Sequence, residues 1–112
     1  MLEKNDLGLV KISREVIAGI AARSAKEISG VQGVGGGFLN RLALTFFMER
    51  LSSVKVEILN NGEVVVSVPI VVEYGREISG IAYEVQEKVK KDIEELTGLD
   101  VAKIDITVEE VK

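Results

Sequence analysis

The sequence predicts an α/β fold of the α+β kind: a two-layer sandwich in the order β-α-(α)-β-β-α-β, with the helices packed on one face of a four-stranded sheet. Three observations predict it. The 112 residues are 46% hydrophobic and 29% charged, an ordinary globular mixture, so one core spanning 1–112 is expected. Two stretches repeat apolar residues at helical spacing. Around them, apolar and polar residues alternate with a period of two, the pattern of strands buried on one face.

The first strand is expected over Leu7 to Ile12, where Val10 and Ile12 flank Lys11. Ser13 then precedes Val16, Ile17, Ile20, Ala21, Ala25 and Ile28, which fall along one helical face. Ser13 is the natural N-cap, Glu15 favours the positive helix end, and Ile12 and Ile17 occupy the two positions of a hydrophobic staple. Gly30 is expected to stop this helix.

A glycine run, Val31 to Gly37, follows, and Gly33, Gly35, Gly36 and Gly37 read as a flexible hinge. Beyond it, Phe38 to Leu51 holds all three phenylalanines together with Leu39, Leu42, Leu44, Met48 and Leu51. Alternation returns at Val54, Val56 and Ile58. Asn60-Asn61-Gly62 then signals a hairpin, because Asn and Gly tolerate positive φ. The next strand, about Glu63 to Tyr74, places Val64, Val66, Val68, Ile70, Val72 and Tyr74 on one face. Pro69 points to the other face and implies an edge strand or a bulge.

Ser79 is expected to cap the second helix, whose stripe is Ile81, Ala82, Val85, Val89, Ile93 and Leu96, and Gly98 to close it. In the last strand Ala102, Ile104, Ile106 and Val108 alternate with Lys103, Asp105, Thr107 and Glu109. A weak internal repeat, Ile12-Ser13 with Gly30-Val31 against Ile78-Ser79 with Gly98-Leu99, suggests two strand-helix-strand units as in ferredoxin-like folds.

Composition narrows the function. There are no cysteines and no histidines, which removes disulfides, thiol nucleophiles, the commonest general base and the commonest transition-metal ligand. An enzyme is not expected, nor is a cofactor or a metal. The net charge is −4, and Lys88, Lys90 and Lys91 are interleaved with Glu87, Asp92, Glu94 and Glu95, so no basic stripe for nucleic acid exists. The N-terminus lacks a secretory pattern and no apolar run reaches the roughly 18 residues of a membrane span, which gives a cytoplasmic expectation.

The glycine run follows a helix and leads into Phe-Leu-Asn-Arg, the wrong context for a phosphate loop, although a small-molecule or anion module using it stands as the alternative function. Phe38 to Leu51 has three readings: a third core helix, a surface for partners or self-association, or a segment that inserts at a lipid interface. On the second reading Phe38, Leu39, Leu42, Phe46, Phe47 and Met48 are the anchors. Glu73, Tyr74, Arg76 and Glu77 cluster at a turn where the charges are expected to be solvated. Asp105 and Glu109 share a strand face that Glu110 opposes, a poor cation site.

Two blocks of the chain resemble a known family. Leu9-Val10-Lys11-Ile12-Ser13-Arg14-Glu15-Val16-Ile17, then Ile20-Ala21 and Gly30-Val31, are similar to the opening of the alkaline shock protein family. Val68-Pro69-Ile70-Val71-Val72-Glu73-Tyr74-Gly75, Ile78, Val85-Gln86, Val89 and Leu96-Thr97-Gly98-Leu99-Asp100-Val101 are similar to its second half in the same order. The resemblance implies a bacterial, mostly Gram-positive, cytoplasmic protein linked to envelope or alkaline stress, held near the membrane in some members by a separate anchor protein. It carries no catalytic residues to transfer, and departures concentrate in Phe38 to Ser53. The expectation is a non-enzymatic stress-response protein acting through protein partners and homo-oligomers.

Overall fold

The computed structural model of the protein describes residues 2–5, 8–35 and 53–112. The chain order is β1 (Leu2–Asn5), β2 (Gly8–Lys11), α1 (Arg14–Lys26), β3 (Val31–Val34), β4 (Lys55–Ile58), β5 (Val64–Val72), α2 (Ile78–Thr97) and β6 (Val101–Val111). The α+β class stands: among the described residues two helices lie against a four-stranded sheet.

The sheet is organised around β5. Its alternate residues Val64, Val66, Val68, Ile70 and Val72 are all essentially inaccessible, and they meet Ile17, Ala21 and Ala25 of α1 and Ile81, Val85, Val89 and Ile93 of α2. The small residues of α1 allow that helix to approach closely, while the branched residues of α2 fill the remaining volume. Removing this much branched aliphatic surface from water, at roughly 1.5–3 kcal/mol per fully buried side chain, is the main term holding the layers together.

Strand membership differs from the sequence expectation. The strand expected over Leu7 to Ile12 is β2, and it pairs antiparallel with β1 in a separate two-stranded sheet. The fourth strand of the main sheet is β3, drawn from the glycine run, so the internal repeat of two strand-helix-strand units is not carried into the topology. β6 runs parallel to β5 along its whole length, from Val64↔Val101 to Val72↔Val111. That occupies one edge of β5 completely. On the other edge β3 pairs antiparallel with residues 70–72 and β4 pairs antiparallel with residues 64–67. Thus β3 and β4 run in one direction, end to end, as two halves of a composite strand.

Pro69 sits opposite the break between those halves. It does not mark an edge strand, since β5 is central. Its carbonyl accepts from the Gly35 N–H at 2.8 Å, which shows that residue 69 faces the composite edge. The N and O of one strand residue point to the same side, so the missing N–H falls at the break and costs the β6 ladder nothing.

Local signals explain the remaining elements. The Ser13 Oγ accepts from Val16 N at 3.2 Å, as its capping role requires. α1 ends at Lys26, before Gly30, because Glu27 N and Ile28 N turn back to the carbonyls of Ser24 and Ala25. Gly30 instead forms the corner into β3 at φ +97°, where an added Cβ would lie 2.5 Å from Ile81 Cδ1. The expected hairpin joins β4 to β5, with Gly62 at φ +88°. α2 is capped by the Glu77 carboxylate, which accepts from Gly80 N at 2.8 Å, rather than by Ser79. Gly98 closes it in the left-handed region, as expected. β5 ends at Val72, so Tyr74 leaves the buried face and is 80% exposed; Leu96, expected in the α2 stripe, is 67% exposed.

Candidate functional site

The break in the composite strand is where the sequence-predicted site meets the fold. Gly33 lies in β3 opposite Val71, beside a bulge, and so belongs to the sheet rather than to a free hinge. Gly35 is buried, has φ +87°, and commits its N–H to Pro69. Gly36, Gly37, Phe38, Leu39, Leu42, Phe46, Phe47 and Met48 lie outside the described residues. Pairing resumes at Lys55, opposite Ser67. The lane formed by β3 and β4 is therefore divided between Gly35 and Lys55, whose pairings with β5 fall on the two sides of Pro69.

A second cluster bridges the helices. The Ser24 hydroxyl donates to Asp92 Oδ2 at 2.6 Å, Lys88 Nζ donates to the same oxygen at 2.9 Å, and Lys88 also reaches Glu27 Oε1 at 3.4 Å. The Ser24 hydrogen bond, then the Lys88 ammonium, hold the Asp92 carboxyl below its ordinary range, while the bond to Asp92 raises the Lys88 ammonium above its own. A serine becomes a nucleophile when a neighbouring base can take its proton. Here the carboxylate is stabilised ionised, the amine is stabilised protonated, and Ser24 is 2% exposed, so neither neighbour is tuned to accept the proton and the oxygen is shut from substrate. The cluster is a clasp that fixes α1 against α2. Helix periodicity alone missed it, although a serine on the alanine-rich face of α1 was its visible signal.

At the end of β5, Arg76 donates to Ser29 Oγ at 3.0 Å and pairs with Glu73 at 3.4 Å, both at the surface. In β6 the register shift beyond Val108 places Glu110 opposite Val71, on the same face as Asp105, so Glu110 does not oppose it as the plain alternation implied. Among the described residues no group of three acidic side chains is arranged to hold a metal ion, and no helix is long and apolar enough to cross a membrane.

The model of the alkaline shock protein family, described as having a cell envelope-related function, matches residues 2–112. The chain is similar to the uncharacterized protein YloU of Bacillus subtilis strain 168, at 33% identity over 107 residues that cover 94% of this chain and 89% of that protein. It is similar also to the uncharacterized protein YqhY of the same strain, at 32% identity over 107 residues, covering 95% of this chain and 78% of that one. Among solved structures it is similar in fold to a copper form of the MamM CTD, with TM-score 0.54 and 13% identity, covering 88% of this chain and 98% of that one. A manganese form of the MamM CTD matches with TM-score 0.53 and 12% identity, covering 88% and 99%.

Proposed function

Because the chain belongs to the alkaline shock protein family, whose function is related to the cell envelope, we propose that it is a non-enzymatic, cytoplasmic stress-response protein that binds protein partners and copies of itself, working near the membrane through a partner. The observation that supports this reading is the division of the composite strand between β3 and β4. The sequence that joins its two halves holds every phenylalanine of the protein. Aromatic and methionine side chains are the residues that dominate binding energy at interfaces. The clasp commits Ser24 and Asp92 to each other and to Lys88, and the absence of histidine and cysteine leaves few groups for catalysis. The anion-binding alternative is weakened by Gly35, whose N–H is already bonded within the sheet.

Replacing Phe46 and Phe47 together by serine is expected to reduce both assembly, read as native mass, and recovery of partners by affinity purification from cells, with an unchanged circular dichroism spectrum. Unchanged assembly and recovery by the folded variant would sink the reading for this stretch.

A further inference from the structure

The outer edge of β6 is an uninterrupted strand of 11 residues, and among the described residues β6 pairs only with β5. Which of its backbone groups face outward follows from the contacts at its two ends. Asp100 O receives Val64 N, and Lys112 exchanges bonds with Val72 and Tyr74, so these residues face β5. The Val101 N–H donates to Glu94 Oε2 at 3.0 Å, and the Ile104 carbonyl accepts from Gln86 Nε2 at 3.1 Å, both groups reaching down from α2. Residues 101 and 104 therefore face outward. Across the regular stretch 103–108, so do Ile106 and Val108. Two outward groups are capped by α2, and the outward N–H and C=O groups of Ile106 and Val108 have no partner among the described residues.

We propose that this edge pairs antiparallel with β6 of a second copy of the chain, about a two-fold axis at Ile106, joining the two sheets into one. The pairing rests on the reading that the protein works through contacts with other chains, and it names one such surface. The symmetry of the strand itself selects a second copy as the occupant. In that register Val101 lies opposite Val111 of the second copy, Ile104 opposite Val108, Lys103 opposite Glu109 and Asp105 opposite Thr107. Pairing with β5 assigns residues 101, 104, 106, 108 and 111 to the buried face and 103, 105, 107 and 110 to the other. The two irregular positions, 102 and 109, fall opposite 110 and 103, so every residue with an assigned face that meets another such residue meets one on its own face. A two-fold pairing that preserves faces through 103–108 must move in steps of two residues. Moving the axis to Asp105 sets that carboxylate against itself, and moving it to Thr107 sets Asp105 against Glu109; like charges directly opposite are destabilising. Moving it to Ile104 keeps an opposite-charge pair, Lys103 with Asp105, but sets Ile106 against Ala102 and takes the C-terminal end of β6 beyond the partner strand. The Ile106 register alone joins two Lys–Glu pairs to apolar pairs along the whole strand. The Ile104 carbonyl keeps a second lone pair for the added bond. Tyr83, a helical turn before Gln86 on the flank of α2 beside this edge, is 62% exposed and adds an aromatic surface for the second copy to cover.

The test uses the full chain in sedimentation equilibrium. Lys103 is a surface residue paired locally with Asp105 at 3.3 Å, and Glu109 is exposed, so exchanging their charges leaves the core untouched. Lys103→Glu and Glu109→Lys are each expected to weaken self-association about tenfold, because each creates two like-charge cross-strand pairs. The double variant restores the opposite pairs and returns association to within about twofold of the starting chain. Since the sequence has no cysteine, mixing Lys103→Cys chains with Glu109→Cys chains under mild oxidation is expected to give a disulfide-linked dimer that neither variant gives alone. Self-association that survives both single exchanges and yields no mixed disulfide overturns the β6 pairing and leaves contact-based function standing. A monomer that still captures partners from cells does the same. A chain that neither self-associates nor captures a partner overturns both.

Discussion

The two edges of the sheet are built in opposite ways. On one, the composite lane of β3 and β4 is short, divided, bulged beside Gly33 and faced by a proline. On the other, β6 is long and continuous, with its irregular positions outside the central stretch. Proteins commonly blunt exposed edges with short strands, bulges and proline, which prevents indiscriminate pairing. Here the short strands, the division and the proline fall on one edge, while the other carries irregular positions only towards its ends and two side-chain caps from α2. The difference teaches that backbone pairing is suppressed where the phenylalanine-bearing stretch departs and is left available on the far side.

Substitutions can separate the shared support of both edges from each edge individually. Ile70→Ala removes a fully buried side chain from β5, to which both edges are attached, and should cost about 2–5 kcal/mol in denaturant unfolding. Gly30→Ala acts at the corner where the divided edge meets α2: it forces a positive φ on alanine and drives Cβ into Ile81, for a loss of about 2 kcal/mol. The same variant should leave β6-mediated association intact, which sedimentation at a folded temperature would show.

Asp92→Asn touches neither edge and should cost about 1 kcal/mol near neutral pH. The folded carboxyl titrates below its ordinary value, so its contribution is present above about pH 4 and disappears as pH falls through the lower folded value. The stability difference between parent and variant should therefore shrink in acid, when unfolding is followed against pH. Lys88 carries the reverse sign, its contribution being lost only as pH rises through a raised ammonium value. The smallest effect is expected for Pro69→Ala, less than about 1 kcal/mol, because the restored N–H points into the break between β3 and β4. A much larger loss would mean that the ring itself holds the divided edge in place.

Much of this architecture was legible in the residues. The stripe from Ile81 to Ile93, the Ser13 cap, the Asn60-Asn61-Gly62 turn and the alternation from Val64 to Val72 each have a local cause, and each element formed where that cause operates. The failures share a different origin. β3 has weak strand propensity because of Gly33, and is held by pairing with β5, a partner distant in sequence. The pattern around Val10 correctly marks a strand, but alternation cannot say which strand it will pair with, and β2 found the adjacent β1. Pro69 suggested an edge or a bulge because its missing N–H must face a gap; the gap proved to be a division in the neighbouring lane. The glycine hinge was legible only as composition, and two of its members serve the sheet. The anchor candidates from Phe38 to Met48 rest on apolar character alone, which names candidates for contact without placing them, and they lie outside the described residues.

The dependence of three strands on β5 also imposes an order of assembly. During synthesis α1, β3 and β4 emerge before the strand they require, so their apolar faces have no sheet to cover until residues 64–72 have been made. Within the main sheet the β4–β5 hairpin is the first pairing available, because its ends are close in sequence, and the parallel β6 can join only after the whole of α2 has crossed over. The nascent chain thus closes the divided edge first and exposes the continuous edge last.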